Sequence, residues 1–551
     1  MAPSNVELGP QQDRGIKRTA GSDRAYVKRG KASNTGKRRY KVKSVDKTSP
    51  LGVLEYEIQQ LLDAHNLTKD DVVNDMKTIL NDFELGQTYH VLVSGVKVLK
   101  LTSNGDGISI IDHPVISDKK QIVLIPFALP GDVADIKIYK SHPMYVESDL
   151  VKVTQPSEFR NDELINCKYF GKCGGCQYQN VSYSQALEFK RMVIENAYKF
   201  FAPQLFKILP AINETEPSPL TYGYRTKLTP HFNIPNAIRT DKSRTLDTRP
   251  SLGFGAKGRP KWRETAGGDA SIVDIEDCPI GTPIINIGMS NERRKFEDSF
   301  TSYKRGATIL LREQTQNSES AEFDSSSESA GVDNEISKLE VDGMVKTCVT
   351  NPRHIVTEFV NGFQFKFSAG EFFQNNNSIL PAVTDYVKAN LNLASDSDNY
   401  LVDAYCGSGL FSITCSTNVK RVIGVEVSAD SVKFARLNAE LNKIQNASFI
   451  AGKAEEIFKD IDLPADKTSV ILDPPRKGCD DVFLNQLSDF HPAKIVYISC
   501  NVHSQARDVE WFIHHTENGH HYEVVSVKGF DFFPQTHHVE SVAVLRLKNG
   551  F

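Results

Sequence analysis

The chain has 551 residues, of which 40% are hydrophobic and 24% charged, and its formal net charge is −4. This composition is typical of a globular protein, and the length leaves room for two to four domains. No apolar run approaches the roughly 20 residues of a membrane-spanning helix, so no membrane partner is expected. Nine cysteines without a secretory signal indicate a reducing compartment, where clustered thiols bind metals more often than they form disulfides.

Positive charge is concentrated at the N-terminus. Residues 1–47 contain thirteen Lys or Arg against four acids, a local excess of nine positive charges. Because this segment has no apolar stripe, residues 1–50 are predicted to be a disordered basic tail. Three interpretations fit it: a nuclear import signal, an RNA-binding arm or a solvated end. We expect an intracellular protein of the nucleus, the cytoplasm or both, with a mitochondrial fraction as a lesser alternative.

A helical segment and a small β-barrel are predicted next. In residues 51–85 the apolar spacing favours two short amphipathic helices, the first carrying Leu54 and Ile58 and the second carrying Val72 and Met76. From about residue 86 the pattern changes to short alternating strands separated by Gly-rich turns. Residues 86–156 are therefore predicted to form an OB-like β-barrel.

A group of cysteines follows the barrel with the spacing C-x5-C-x2-C. Its members are Cys167, Cys173 and Cys176, and glycines between the last two allow a tight fold around a metal. Zinc and iron–sulfur sites usually take four ligands, and Cys278, which precedes a proline, is the best candidate for the fourth. The residues alone leave open a zinc site, an iron–sulfur cluster or an empty site.

The central domain is predicted to span residues 157–361 and to be of the α+β type. A helix is expected over 183–201, and residues 221–227 alternate aromatic and basic side chains as on a strand. Arg225 on that strand could contact RNA, although a core strand explains the pattern equally well. Residues 313–340, rich in Ser and acids, are predicted to be a disordered insertion.

Residues 362–551 have the pattern of an α/β Rossmann-like domain. Leu401–Ala404 is predicted as its first strand and is followed by the tight turn Cys406–Gly409, which allows a ligand to approach the backbone. Glu426 ends the next predicted strand, where an acid can bind both hydroxyls of a ribose. This pair of features fits S-adenosylmethionine as well as NAD.

Three further motifs are expected to surround one active site. Asp473–Gly478 and Tyr497–Asn501 each follow a buried strand, and His537–Ser541 precedes another apolar run. Cys500 would stand just before a helix, whose N-terminus favours the thiolate and makes the cysteine a candidate nucleophile. A small core residue is the alternative for Cys500, and a solvated carboxylate is the alternative for Glu540.

These motifs, in this order and at this spacing, resemble those of the RNA 5-methyluridine methyltransferase family, and its eukaryotic, fungal-type tRNA branch most closely. The resemblance extends from about Thr88 to the C-terminus. It implies an S-adenosylmethionine-dependent methyltransferase domain preceded by a TRAM RNA-binding barrel. It also favours a 4Fe–4S cluster on the four cysteines and RNA contact by Arg225. The positions that match the family's cofactor contacts are Gln374, Tyr405, Gly407, Gly409, Glu426 and Asp473.

The chemistry that the resemblance implies is methylation of uridine at carbon 5. That carbon is too weakly nucleophilic to attack a sulfonium until a thiolate adds at carbon 6, and this addition is assigned to Cys500. Glu540 is assigned as the general base that removes the carbon 5 proton, and Asp473 is expected to orient the uracil. The uridine must be flipped out of its stack to react.

The expected substrate is tRNA, at the T-loop uridine 54, and the expected state is a monomer. The same reaction on ribosomal RNA is the nearest alternative, because the catalytic motifs do not separate the two substrates. A tRNA-remodelling protein without catalysis would leave Cys500 and Glu540 unexplained as a pair. A radical enzyme is disfavoured because its cysteines usually follow C-x3-C-x2-C.

Overall fold

A computed structural model describes residues 45–82, 87–88, 90–241, 243–259, 271–318, 338–391, 398–453, 458 and 461–548. The predicted disordered tail lies almost entirely outside these residues. Within them, no helix combines the length and the apolar character needed to cross a bilayer.

The described chain begins with helix α1, Pro50–Ala64, which packs on a six-stranded barrel. Ser49 caps the helix by accepting a hydrogen bond from the N–H of Gly52, and Pro50 occupies its first turn. The buried face of α1, including Leu54 and Ile58, packs against Ile108 and Ile122 of the barrel. The five main barrel strands are β1 Val91–Lys97, β2 Gly107–Asp112, β3 Lys120–Ile125, β4 Val133–Ser141 and β5 Val146–Gln155.

The second helix predicted between residues 65 and 85 is wrong. A 3-10 turn covers Lys69–Asp71, Val72 then forms a parallel bridge with Lys120, and only Lys77–Leu80 is helical. The apolar residues of this stretch are buried by different neighbours rather than by one helix face: Met76 lies in the barrel core, whereas Val72 packs beside α1. Tertiary contacts therefore replace the helical periodicity that the sequence suggests.

The central region contains helices α2, Tyr183–Phe201, and α3, Pro283–Ser299, together with short antiparallel sheets. The expected strand at 221–227 is reduced to Lys227–Leu228, and Arg225 forms only isolated bridges with Gly281 and Asn376. Two four-stranded sheets are formed. The first has the order Lys227–Leu228, Leu311–Asn317, Met344–Val349 and Lys338–Val341. The second has the order Ile272–Asp274, Gly253–Gly255, His231–Phe232 and Ala307–Thr308.

The predicted insertion at 313–340 is too wide. Leu311–Asn317 is a strand that pairs with Met344–Val349, and Met344–Val349 pairs on its other side with Lys338–Val341. Two buried polar residues of Leu311–Asn317 have partners: Glu313 forms an ion pair with Lys346, and the Thr315 hydroxyl donates to Glu358 at 3.1 Å. Residues 319–337, the remainder of the predicted insertion, lie outside the described residues.

An eight-stranded sheet forms the centre of the C-terminal part. Its strands are β6 Asn213–Glu216, β7 Tyr400–Ala404, β8 Arg421–Glu426, β9 Ala447–Ala451, β10 Thr468–Leu472, β11 Lys494–Ser499, β12 Tyr522–Phe530 and β13 Glu540–Leu547. The order is β9-β8-β7-β10-β11-β13-β12-β6, and β13 alone runs antiparallel to its neighbours. The helices are α4 Leu380–Leu391, α5 Leu410–Thr414, α6 Ala429–Leu441, α7 Asp481–Phe490 and α8 Val502–His515.

The domain boundary predicted between residues 361 and 362 does not coincide with a boundary in the observed packing. That boundary divides the hairpin of Ile355–Val360 and Phe363–Ser368, whose apolar residues belong to the core under the large sheet. Helix α2 and strand β6, both predicted to be central, also pack into this sheet: α2 shares its core and β6 forms its edge. The eight-stranded sheet and its core therefore include segments that were predicted to belong to the central domain.

A buried ion pair joins α2 to the loop that precedes β13. The Lys190 ammonium donates to Asp531 Oδ1 at 2.5 Å and to the Phe533 carbonyl at 3.0 Å. The two side chains are 1% and 0% exposed, so neither charge is solvated by water. Burial lowers the pKa of Lys190, whereas the Asp531 carboxylate opposes that shift. This pair fixes the loop that leads to Glu540.

Replacing Lys190 with Met should destabilise the protein by about 3–5 kcal/mol, because Asp531 is left buried without its partner. The free energy of unfolding from urea denaturation measures this loss. Adding Asp531→Asn to Lys190→Met should recover part of the loss. The control is Lys433→Met, which breaks an exposed pair with Asp430 and should cost at most about 0.5 kcal/mol. Equal costs for the two single variants would contradict a structural role for the buried pair.

Candidate active site

The order of the sheet brings the predicted catalytic motifs to one edge. From β7 the chain passes first to β8 and β9 on one side of this strand and then to β10 and β11 on its other side, and open α/β sheets bind ligands beyond the carboxyl ends of strands at such a point. Asp473 follows β10 and Cys500 follows β11. Because β13 is antiparallel to β11 and pairs Ser541 with Ser499, Glu540 begins β13 beside Cys500. The sequence prediction that these three residues share one edge is thus met by the geometry.

Acidic groups influence one another at this edge. Glu540 is 5% exposed, and burial together with the neighbouring Asp473 carboxylate raises its pKa to about 8, against the influence of Arg476. Asp473 is half-buried, and burial together with Asp403 raises its pKa to about 7. Near neutral pH, Glu540 is therefore largely protonated in the free protein.

The Cys500 thiol does not have the low pKa that its place before a helix suggested. Burial and the carboxylates of Glu540 and Asp473 raise its pKa to about 12, against the opposing influence of Arg476 and of a backbone hydrogen bond. The expectation of a favoured thiolate is wrong for the free protein, because burial and the two nearby acids outweigh the helix N-terminus. The residue keeps its position as a candidate nucleophile, stored as the neutral thiol.

Helix α8 and the loop after β10 hold Cys500 in place. The Asn501 side chain caps α8 by accepting from the N–H of His503, and its amide donates to the Arg476 carbonyl at 3.0 Å. Ser504 donates to the same carbonyl at 3.1 Å. The loop also depends on Gly478, which has φ +78°, and where a Cβ would stand 2.2 Å from a carboxylate oxygen of Asp508. Sequence reasoning missed these supports, because they join residues about 25 positions apart.

Cys500 lies on a cavity of about 360 Å³. Arg225 and Arg476 line it together with His538 and Phe533. The Arg225 guanidinium lies over the Phe533 ring at 5.2 Å from its centroid, and the His538 ring packs edge-on against the same phenyl group at 5.1 Å. The predicted RNA contact Arg225 is therefore in the cavity of the nucleophile, half-buried and held by an aromatic ring.

The predicted cofactor residues form a cradle on the neighbouring strands. Tyr405 has φ +70° and is followed by Gly407 at φ +55° and Gly409 at φ +92°. The Gly407 N–H donates to Glu426 Oε2 at 3.2 Å, which joins the turn after β7 to the end of β8. No atom lies within 4 Å of the point where a Gly407 Cβ would stand, so a cofactor has room to approach this backbone.

Gln374 and the acid Asp473 complete the predicted cofactor set. Gln374 is buried, and its neighbour Asn376 donates to Ser218 Oγ at 3.0 Å and to the Phe532 carbonyl at 3.1 Å. The Gln374 segment is thereby attached to the loop that leads to the catalytic motif His537–Ser541. An open glycine turn, a ribose-type acid and a buried amide fit S-adenosylmethionine.

The four cysteines of the predicted metal site influence one another, but they do not form a ligand group. Burial raises the pKa of Cys176 and of Cys278. The other three cysteines add to the shift of Cys176, and Cys167 and Cys173 add to that of Cys278. The Cys173 thiolate position is supported by the Gly175 N–H at 3.4 Å. Across the described chain, no three His, Cys, Asp or Glu side chains are placed to hold a metal ion. The donor set fits a thiolate-ligated metal, and all four cysteines are free of disulfides.

Comparison with family models identifies two regions. Residues 354–548 match the model described as tRNA (Uracil-5-)-methyltransferase, and residues 82–151 match the TRAM domain. The first match begins at the hairpin that the predicted boundary had divided. The second covers the barrel that the alternating pattern had predicted.

Similar proteins are known in two yeasts. The chain is 55% identical over 534 residues to the tRNA (uracil(54)-C(5))-methyltransferase of Saccharomyces cerevisiae, covering 92% of this chain and 83% of the relative. It is 43% identical over 458 residues to the protein of the same name in Schizosaccharomyces pombe, covering 82% and 77%. The Pyrococcus abyssi tRNA (uracil-54, C5)-methyltransferase, solved with S-adenosyl-L-homocysteine, is 22% identical with a TM-score of 0.55 over 82% of this chain and 99% of that one. That likeness concerns the fold.

Alkylation of Cys500 should report the electrostatics of the site. With its pKa near 12, the thiol should react slowly with iodoacetamide at pH 7.5 and about tenfold faster for each pH unit above that. Glu540→Gln removes a neighbouring negative charge and should accelerate the reaction roughly tenfold above about pH 8, where Glu540 is ionised. Mass spectrometry of the Cys500 peptide measures the rate.

Two matched variants complete this experiment. Arg476→Met removes the opposing positive charge and should slow the alkylation, whereas the surface variant Glu517→Gln should leave the rate unchanged. A rate in Glu540→Gln equal to that of the unmodified protein at pH 9 would show that the two side chains are not electrostatically coupled.

Proposed function

This chain belongs to the tRNA (uracil-5-)-methyltransferase family, and we propose that it methylates carbon 5 of uridine 54 in tRNA through a covalent adduct on Cys500. The observation that carries the proposal is the pairing of Ser499 with Ser541, which brings the Cys500 nucleophile and the Glu540 base to one edge of the sheet. Ribosomal RNA, the alternative that the motifs left open, is not favoured, since both yeast relatives are named for uracil 54 of tRNA.

Cys500 begins the reaction at carbon 6 of a flipped uracil. The Cys500 thiol releases its proton to solvent and the resulting thiolate adds to that carbon, and the ring electrons that are displaced make carbon 5 nucleophilic. S-adenosylmethionine, when bound, supplies the methyl group that carbon 5 takes. Residues that would hold this cofactor are Gln374, Tyr405, Gly407, Gly409, Glu426 and Asp473. Arg476, the cation that favours the Cys500 thiolate, assists the addition.

Glu540 completes the reaction as the general base. After methyl transfer, its carboxylate removes the proton from carbon 5, the double bond reforms and the Cys500 sulfur leaves carbon 6. The buried position that raises the pKa of Glu540 to about 8 makes this carboxylate a stronger base than an exposed glutamate. Asp473, at the adjacent strand end, would hydrogen-bond the uracil edge, and Arg225, which lines the cavity of Cys500, would bind RNA there.

Variants of the two catalytic residues should separate the two half-reactions. Cys500→Ala should abolish tritium release from carbon-5-labelled uridine in tRNA, a loss of roughly 10⁴-fold or more. Glu540→Gln should still add and methylate, but should accumulate a methylated protein–RNA adduct and turn over about 10²–10⁴-fold more slowly. In the unmodified enzyme, adduct breakdown should accelerate as the pH rises through about 8, where Glu540 loses its proton.

Denaturing gels detect the adduct, and scintillation counting detects the released tritium. The control transcript is ribosomal RNA labelled in the same way, which should release none. Release from ribosomal RNA but not from tRNA would keep the mechanism and contradict the substrate. RNA binding without release from either transcript would contradict the enzymatic function and favour a tRNA-remodelling role.

We further propose that Cys167, Cys173, Cys176 and Cys278 hold a 4Fe–4S cluster. The C-x5-C-x2-C spacing with a distant fourth cysteine supplies the four thiolates that such a cluster needs, and the four thiols already lie within electrostatic reach of one another. None of the four cysteines has a part in the reaction described above, so we assign the cluster a structural role.

Protein purified without oxygen should contain about four iron and four sulfide ions per chain, with a broad visible absorption. Cys176→Ala should lose both the iron and the absorption, whereas Cys348→Ala, a cysteine outside the motif, should retain them. Metal analysis that finds zinc in place of iron would contradict the cluster and support a zinc site. Protein with neither metal would support the empty site.

We propose that the protein acts as a monomer inside the cell, in the nucleus, the cytoplasm or both. Light scattering of the purified protein tests the monomer. The basic segment at residues 1–44 supports nuclear import. A fluorescent fusion in which Lys37, Arg38 and Arg39 are changed to Gln should lose nuclear signal relative to the unmodified fusion. Unchanged nuclear signal would contradict an import role.

A further inference from the structure

The catalytic cavity continues beyond Cys500 to a second end. Thr48, Pro50 and Val53 line this end from the N-terminal segment, and Val502 and His503 line it from the start of α8. The N-terminal residues lie outside both matched family regions, which begin at residues 82 and 354. Nothing in the methylation mechanism above uses this part of the cavity.

The N-terminal wall is fixed by contacts on three sides. The Glu57 carboxylate accepts from both the N–H and the hydroxyl of Ser103 in the barrel, each at 2.6 Å. The Tyr56 ring packs against Phe201 of α2 with the ring centroids 4.9 Å apart. Asn501, next to the nucleophile, donates to the Thr48 carbonyl at 3.3 Å. The wall is therefore a built part of the cavity and is tied to the loop of Cys500.

His503 lines this end of the cavity, and one of its ring nitrogens is buried without a partner. Its side chain is 8% exposed, its ring packs edge-on against Phe201 at 5.8 Å, and Nε2 has no hydrogen-bond partner. A buried nitrogen without a partner costs free energy that a bound polar group can recover. Burial also lowers the pKa of His503 to about 4, so the ring is neutral near pH 7.

The chemistry of this end suits a nucleobase rather than a phosphate. Pro50, Val53, Val193 and Val502 are apolar, and the polar groups here are neutral. The two arginines of the cavity, Arg225 and Arg476, are close enough to His538 to lower its pKa. An apolar slot with a few neutral hydrogen-bonding groups matches the flat faces and polar edge of an unstacked base.

We propose that the end of the cavity between α1 and α8 is a subsite for a second, unstacked nucleobase of the substrate RNA, whose edge hydrogen-bonds His503. The proposal rests on the proposed function, since the target uridine would occupy the end at Cys500. The cavity volume of about 360 Å³ lies in the range that holds ligands larger than a single pyrimidine. This subsite would select which uridine reaches Cys500, because the neighbouring base must fit at the same time.

The test compares binding of synthetic hairpins of the T arm, each with one abasic nucleotide, to His503→Leu and to the unmodified residue. Both proteins carry Cys500→Ala, so that no covalent adduct forms. His503→Leu should raise the Kd for the intact hairpin about tenfold. One of the abasic hairpins lacks the base that fills the subsite. The protein with His503 should bind this hairpin as weakly as His503→Leu binds the intact hairpin, and His503→Leu should bind it no more weakly still.

Two more variants make the result specific. His515→Leu, at the exposed end of the same helix, should bind every hairpin like the unmodified residue. Val53→Phe narrows the subsite from α1 without changing α8, and should show the same dependence on the same missing base if His503→Leu fails to fold. Neither His503→Leu nor Val53→Phe should change the Kd for S-adenosylmethionine.

Two results would overturn the subsite. The first is that both variants bind the intact hairpin with the same Kd as the protein that has His503 and Val53. The second is that the variants weaken the binding of every abasic hairpin by the same factor, whichever base is missing. Tritium release by the enzyme with Cys500 intact keeps these outcomes separate from failure of the proposed function. If that enzyme methylates the intact hairpin while both variants bind like the unmodified residue, the reaction stands and the subsite falls.

Discussion

The antiparallel pairing of β11 with β13 is the constraint on which the active site depends. Parallel neighbours would place the start of one strand at the opposite edge of the sheet from the end of the other. Because β13 reverses direction, the first residue of one strand, Glu540, lies beside the residue that follows the other, Cys500. A slip of one residue would turn Glu540 to the other face of the sheet. The Lys190–Asp531 pair opposes such a slip, since it fixes the loop that enters β13.

Burial makes this edge chemically quiet in the free protein. Cys500, Glu540 and Asp473 would place three negative charges close together if all were ionised. Burial and this charge repulsion raise the pKa of Cys500 and of Glu540, whereas burial and Asp403 raise that of Asp473. A neutral thiol resists alkylation and oxidation, because the thiolate is the reactive form. Arg476 opposes the shifts of Cys500 and Glu540, and it lies on the exposed loop after β10. The site can therefore hold a nucleophile in reserve until RNA enters the cavity.

The sequence alone predicted the positions of those functional residues that lie at the ends of strands. Buried β-branched runs located β10 and β11, so the positions of Asp473 and Cys500 followed directly, and the helix over 183–201 was predicted with its observed bounds. The pKa of Cys500 was predicted in the wrong direction because the helix after it is visible in the sequence, whereas the acids beside it come from other strands. The polar strand Leu311–Asn317 was mistaken for disorder for a similar reason: its partners, such as Lys346, are distant in the chain.

The N-terminal segment shows what local patterns leave out most completely. Its apolar spacing predicted α1, but gave no indication that the residues before and within this helix would line the cavity of Cys500. Contacts to three different parts of the protein produce that position: Ser103 of the barrel, Phe201 of α2 and Asn501 beside the nucleophile. The same helix that seals the barrel core thus also forms a wall of the reaction cavity. Contacts of α1 with the barrel, and of the Thr48 carbonyl with Asn501, therefore pack the barrel, α1 and the loop of Cys500 together.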